Sequence, residues 1–216
     1  MTNQHIKPKF ITLEGMDGAG KSTHIASIIA ILQARGHEVV STREPGGTIL
    51  GERLRELLLH ENMHAETETL LMFAARREHI ASVIAPALAR GAYVLSDRFT
   101  DATYAYQCGA KGVEASKIEL LEQWVQDNLQ PDVTILFDVP VEVSMQRLAN
   151  AREPDKFERE NADFFMRIRN AYLQRAKENP SRFRVIDANR PLNEVKQSVE
   201  YIVSPNNLQA LIKFFL

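Results

Sequence analysis

Cysteine is almost absent from this chain of 216 residues: Cys108 stands alone. That excludes an internal disulfide and, with no Cys or His partner at metal-ligand spacing, a zinc site; the thiol is expected to pack as a small side chain. Long apolar runs are missing too. No stretch approaches the roughly 20 apolar residues that span a bilayer, and the opening Met-Thr-Asn-Gln-His carries no apolar leader core. A soluble, cytoplasmic protein with no membrane partner is expected. Neither sign of charge dominates: 26 Lys and Arg against 28 Asp and Glu leave a formal net charge of −2. Nothing therefore draws the whole molecule to nucleic acid, and an anion site must come from clustered Arg and Lys. Linkers, low-complexity tracts and internal repeats are lacking as well, which leaves a single domain over 1–216 with one substantial core.

Against this background one segment carries chemistry. Gly15, Met16, Asp17, Gly18, Ala19, Gly20, Lys21, Ser22 and Thr23 form a complete G-x-x-x-x-G-K-[ST] loop, directly after the apolar run 10–13. A loop of this kind wraps phosphate oxygens with successive backbone N–H groups, at a closeness that only glycine permits. Lys21 is placed to reach the β and γ phosphates of a triphosphate, and Ser22 to hold Mg²⁺. The helix expected from Ser22 points its positive end at the same phosphates.

Short, nearly all-apolar runs recur at 10–13, 38–41, 92–95, 133–137 and 184–186, with helical patterns between them, including 22–34, 66–90 and 162–177. Strands separated by helices imply an α/β fold with a five-stranded parallel sheet, buried on both faces and flanked by helices in three layers. In such a fold function gathers at the carboxyl ends of the strands. Three polar clusters sit at such ends: the glycine loop, Arg43-Glu44-Pro45-Gly46-Gly47 and Asp97-Arg98-Phe99. The terminal stretch 208–216 is apolar but short, and core packing is expected for it.

Taken in order, Glu14-Gly-Met-Asp-Gly-Ala-Gly-Lys-Ser-Thr, Thr42-Arg-Glu-Pro-Gly-Gly-Thr, Phe73-Ala-Ala-Arg-Arg-Glu-His, Asp97-Arg-Phe and Ala105-Tyr-Gln closely resemble the bacterial thymidylate kinases, almost end to end. The resemblance implies a P-loop nucleoside monophosphate kinase fold. It also implies transfer of the γ-phosphoryl group of Mg-ATP to dTMP, commonly by a homodimer. Such a transfer brings several negative charges into one crevice, and arginines must offset their repulsion.

The resemblance assigns Arg98 to the acceptor phosphate, against a plain surface ion pair as the alternative. Asp97 would face the Mg²⁺ opposite Ser22 through a water, or else cap the next helix. Arg55 is the second arginine expected on the acceptor phosphate, with Arg53 as its nearby rival. Asp17 matches the position that meets the deoxyribose 3′-hydroxyl, and Glu44 is expected to help order the same region; a hydrogen bond that only stabilises a loop is the alternative for both. Arg76 is expected at the thymine O4 oxygen. The family's usual spacing, Phe-x-x-x-Arg, is broken here: Phe73 is expected to cover the pyrimidine, yet Met72 occupies the place where the Phe normally lies. Thr103 and Gln107 match positions near the N3 and O2 edge, or form an ordinary polar helix face.

Eukaryotic relatives carry an arginine inside the loop, where this chain has Gly18. The missing charge is expected from a lid segment at about 146–160, which contains Arg147, Arg152, Lys156 and Arg159. Arg152 is the first choice for the catalytic arginine and Arg147 the second. Two rival functions remain open. One is a P-loop kinase for a different nucleoside monophosphate or a deoxynucleoside; the other is a nucleotide-dependent switch, which the missing Asn-Lys-x-Asp pattern disfavours.

Overall fold

Phe10–Glu14 is buried at all five positions and forms β1, the central strand of a five-stranded sheet. The structure is a computed structural model, which describes residues 9–149 and 155–204. The remaining strands are β2 (Val39–Arg43), β3 (Tyr93–Asp97), β4 (Val133–Asp138) and β5 (Phe183–Asp187). All pairings are parallel and the order is β2-β3-β1-β4-β5. All five expected strands are present, each longer by one or two residues than its apolar run because a polar residue completes the pairing.

The helices are α1 (Lys21–Gln33), α2 (Ile49–His60), α3 (Ala65–His79), α4 (Ala85–Ala89), α5 (Thr100–Thr103), α6 (Ala115–Gln126), α7 (Val141–Ala149), α8 (Ala162–Glu178) and α9 (Leu192–Ile202). The helix expected over 66–90 is continuous but not uniform. A π-helical turn, Ile80–Ile84, precedes α4, so that Pro86 falls in the first turn of that helix, where its missing N–H costs nothing. A second π-helical segment, Tyr104–Ala110, follows α5 directly. Local caps set the starts of α2 and α8: Thr48 Oγ1 accepts from the Gly51 N–H, and Asn161 Oδ1 from that of Phe164.

Alternation along β1 serves two cores. Ile11 and Leu13 join residues of α1, α8 and α9, while Phe10 packs with Val94, Phe73 and Ile118. The chain leaves β1 towards β2 on one side of it and later crosses to β4 on the other. The crevice at the carboxyl end of β1 and β3 is therefore a switch point, with its loops left unpaired by the sheet. The expected packing of 208–216 concerns a stretch outside the described residues.

Candidate functional site

The loop after β1 closes around its own lysine. Lys21 Nζ donates to the Gly15 and Met16 carbonyls at 3.0 and 2.9 Å. The N-cap of α1 is Gly20 at φ 93°, with no side-chain cap, so the first amides of α1 are not taken up by a capping side chain. Gly18 has φ +75°, and a Cβ there would lie 2.6 Å from the Ser144 carbonyl oxygen. No side chain fits at that position, which explains in steric terms why this loop has no arginine. Ser144 in turn donates from Oγ to the Asp17 carbonyl at 2.5 Å, tying the loop to α7. Burial, and then the nearby Arg98, push the Lys21 ammonium below its ordinary pKa.

Loop residues Asp17, Gly18, Gly20, Lys21 and Ser22 line a cavity of about 400 Å³. Arg98, at φ 71°, occupies the left-handed region that non-glycine residues avoid, and the Ser96 hydroxyl donates to its carbonyl at 2.7 Å. The strained turn aims the guanidinium inward. Its Nη2 donates to Asp17 Oδ1 at 2.6 Å and to the Tyr106 hydroxyl at 2.9 Å, and that hydroxyl donates to Asp17 Oδ2 at 2.9 Å. Burial alone would raise the Asp17 carboxyl, but Arg98, Lys21 and Tyr106 outweigh it and hold its pKa at about 2.

Arg55 also lines the cavity, with Nη1 donating to the Pro45 carbonyl at 2.9 Å, whereas Arg53 is exposed and does not line it. Burial, followed by repulsion from Arg43 and Arg98, lowers the pKa of Arg55. This wall holds cation next to cation, an arrangement that an anion relieves.

At the other wall Arg76, 2% exposed, is held by two hydrogen-bond partners. Its Nε donates to Glu44 Oε2 at 2.7 Å and its Nη2 to Thr103 Oγ1 at 3.0 Å. The second Glu44 oxygen accepts from His79 Nδ1 at 2.9 Å, and the other ring nitrogen is hydrogen-bonded to the Thr42 hydroxyl at 2.6 Å. Arg76 Nη1 has no partner, one of two such buried side-chain atoms among the described residues. Glu44 therefore orders Arg76, rather than the Asp17 region for which it was expected.

Phe73 requires a correction. It is 1% exposed, packs in the second core with the Arg76 guanidinium 4.8 Å from its ring, and does not line the cavity; Met72 does. The helical register decides this, since successive residues of α3 point about 100° apart. Thr103 and Gln107 both line the cavity, although Gln107 belongs to the π-helical segment and not to an α-helix.

The other unpartnered buried atom is Asp97 Oδ1, on the wall shared with the exposed Ser22 hydroxyl. A carboxylate and a hydroxyl on one wall of the cavity, the first with an oxygen lacking a partner, suit a hard cation that keeps most of its waters. No cluster of three metal-binding side chains occurs among the described residues. Arg147 reaches the loop from α7, donating to the Gly18 and Ala188 carbonyls at 3.2 Å each. It lines both the main cavity and a smaller one beside Thr23, Ala188 and Arg190. Arg152, with 150–154, lies outside the described residues.

Three residues escape a reading of single motifs. Glu14 ends β1 fully buried, accepting from the Phe99 N–H at 2.8 Å and the Tyr172 hydroxyl at 2.9 Å. Burial, then the nearby Asp101, raise its pKa to about 8. A carboxylate closing an apolar strand was the only signal for it. Tyr106 stands in the quoted Ala-Tyr-Gln, with nothing local to mark its contact with Asp17. Tyr172 comes from α8, far along the chain.

A glycine loop with a buried lysine, five lining arginines and an unpartnered carboxylate oxygen can hold two phosphate groups end to end, with a polar pocket beyond them. Comparison with known proteins agrees. The thymidylate kinase family model matches residues 13–199. A thymidylate kinase of Methylobacillus flagellatus is 71% identical over 194 residues, which cover 90% of this chain and 96% of that protein. One from Cupriavidus metallidurans is 63% identical over 199 residues, 92% and 99% of the two chains. The crystal structure of thymidylate kinase from Ehrlichia chaffeensis superposes with a TM-score of 0.75 at 33% identity, covering 92% of this chain and all of that one. Loop, arginine walls and sheet order thus agree with sequence kinship over nearly the whole length, and the chain belongs to the thymidylate kinase family of phosphotransferases.

Proposed function

We infer that this protein transfers the γ-phosphoryl group of ATP to dTMP, giving dTDP and ADP. The observation that carries the reading is one cavity running from Lys21 and Ser22, past Arg55 and Arg98, to Arg76, Thr103 and Gln107. ATP phosphates lie on the glycine loop, from Gly15 to Thr23, with Lys21 at the transferred group. Arg98 and Arg55 hold the dTMP phosphate, Asp17 accepts from its 3′-hydroxyl, and Met72 covers the base. Arg76 Nη1 donates to thymine O4. The nucleophile is a phosphate oxygen already anionic near neutral pH, so no general base and no covalent enzyme intermediate is required.

Mg²⁺ would be held by Ser22 and, through water, by Asp97, and would neutralise charge between the phosphates. Arg147, and Arg152 of the lid, supply positive charge in the transition state. Such an arginine is worth about 10³ to 10⁵ in rate in other phosphoryl-transfer enzymes. The smaller cavity beside Arg147 suits the nucleoside end of ATP.

The protein acts as a cytoplasmic homodimer in this reading. No helix among the described residues is long and apolar enough to cross a membrane. Leu57 of α2, Leu70 of α3, and Leu120 and Trp124 of α6 are exposed on helices that pack side by side through α3, Trp124 to 80%. Sedimentation of the native protein tests this, and a monomer at micromolar concentration refutes it.

A coupled ADP-release assay with Mg-ATP, across dTMP, dUMP, UMP, dCMP, AMP, GMP and thymidine beside a no-acceptor control, tests the activity. Preference for dTMP is expected. Preference for another acceptor would retain only a P-loop kinase, and turnover without acceptor would favour a nucleotide-dependent switch.

A further inference from the structure

Glu68 lies on α3 with 0% exposure, an unusual place for a carboxylate, and lines neither of the two cavities described above. Its Oε1 accepts from Gln107 Nε2 at 2.9 Å. Its Oε2 meets Lys111 Nζ at 2.8 Å and Lys156 Nζ at 2.9 Å. The Phe157 ring lies 4.6 Å from the first ammonium and 5.1 Å from the second. Two cations thus compensate the buried charge, and one of them comes from the expected lid segment.

We propose that Glu68 sets the orientation of the Gln107 amide and is thereby a specificity-determining residue for the base of the acceptor nucleotide. A carboxylate only accepts hydrogen bonds, so the Gln107 NH₂ must face it and the carbonyl oxygen Oε1 is left for the cavity that Gln107 lines. Together with the unpartnered Nη1 of Arg76, the pocket offers one acceptor beside one donor. Thymine and uracil present N3–H beside O4 and match both; cytosine presents N3 beside an amino group and matches neither. An amide free to turn would lose half of that pattern. Lys156 brings a residue of the expected lid segment to the same anchor.

The inference rests on the reading that Gln107 faces the base, and the test separates the two. Relative kcat/KM for dTMP and dCMP is measured for the parent, Glu68→Gln, Gln107→Leu and the double variant, each checked by thermal melt. Glu68→Gln is expected to lower the dTMP preference about tenfold or more, and to change it no further in the Gln107→Leu background. A merely structural role would move both acceptors together and leave the ratio in place. If Gln107→Leu lowers the ratio but Glu68→Gln does not, or if the two effects add, the proposal is overturned. If Gln107→Leu leaves the ratio unchanged, the base-reading role falls and the proposal with it. Should Glu68→Gln fail to fold, Glu68→Asp keeps the charge for the lysines while drawing the oxygens back from Gln107, and the same drop is expected.

Discussion

Arg98 and Asp17 are joined by an ion pair of 2.6 Å between the loops that follow β3 and β1, and the Tyr106 hydroxyl bonds to both partners. The pair holds the arginine fork ready, at a residue whose left-handed backbone already points it into the cavity. Little reorganisation is then required when a phosphate arrives.

Arg98→Ala is expected to reduce kcat/KM for dTMP by about 30-fold or more, the scale of losing one partner of a buried charge pair. Arg98→Lys keeps the charge but not the planar fork and should recover only part of the loss. Steady-state kinetics with dTMP varied at saturating Mg-ATP measures both, and full activity in Arg98→Ala would remove this residue from the acceptor site.

Gly18→Ala meets two penalties together: φ of +75° and a Cβ at 2.6 Å from a backbone oxygen of α7. Backbone strain of this sort costs about 1 to 3 kcal/mol, and a melting temperature several degrees lower is expected. Gly20→Ala bears the strain alone, since nothing lies within 4 Å of its Cβ, and should melt closer to the parent. Equal melting temperatures for all three proteins would contradict the steric account.

The pH dependence of stability has opposite signs at the two carboxyls. Glu14 is raised to about 8, so the folded state binds a proton that the unfolded state has lost, and stability falls as pH rises from about 4.5 through 8. Glu14→Gln keeps an acceptor for the Phe99 N–H, turns its NH₂ to donate to the Tyr172 hydroxyl and does not titrate; it should flatten the decline in denaturant midpoint between pH 6 and 8.5. Asp17, held at about 2, contributes stability that is present above its unfolded pKa near 3.8 and lost as pH falls through 2. A midpoint that declines equally in parent and Glu14→Gln would reject the assignment.

Met72 and Phe73 differ in what they touch, and their substitutions should differ in kind. Phe73→Ala removes a ring from the second core and is expected to cost about 3 to 5 kcal/mol of stability. Met72→Ala, at a residue only partly buried against the first core, should lower the melt much less than Phe73→Ala while raising KM for dTMP several-fold. Calorimetry beside kinetics decides; the reverse pattern would return the base-covering role to Phe73.

Fold and phosphate loop were legible in the sequence because both are local. Strands buried on both faces must read as short apolar runs, and a loop that approaches phosphates closely needs glycine at fixed intervals. Hence 10–13 and Gly15 to Thr23 disclosed β1, its loop and the parallel sheet, and Arg55 could be preferred to Arg53 before either was placed. Pairings of residues far apart in the chain left no such trace. Glu14 with Tyr172, Glu44 with Arg76, and Gln107 with Glu68 are 158, 32 and 39 residues apart.

By itself, then, the sequence determined the fold class, the nucleotide loop and the set of polar residues available to the crevice, since each is written in residue type and short-range period. Only the tertiary structure decided that Met72 and not Phe73 faces the cavity, that Glu44 serves Arg76, and that Gln107 gives its amide N–H to the buried Glu68. Those outcomes depend on the rotation of one helix against another and on which buried donors find acceptors, and packing resolves both only when the whole chain has closed.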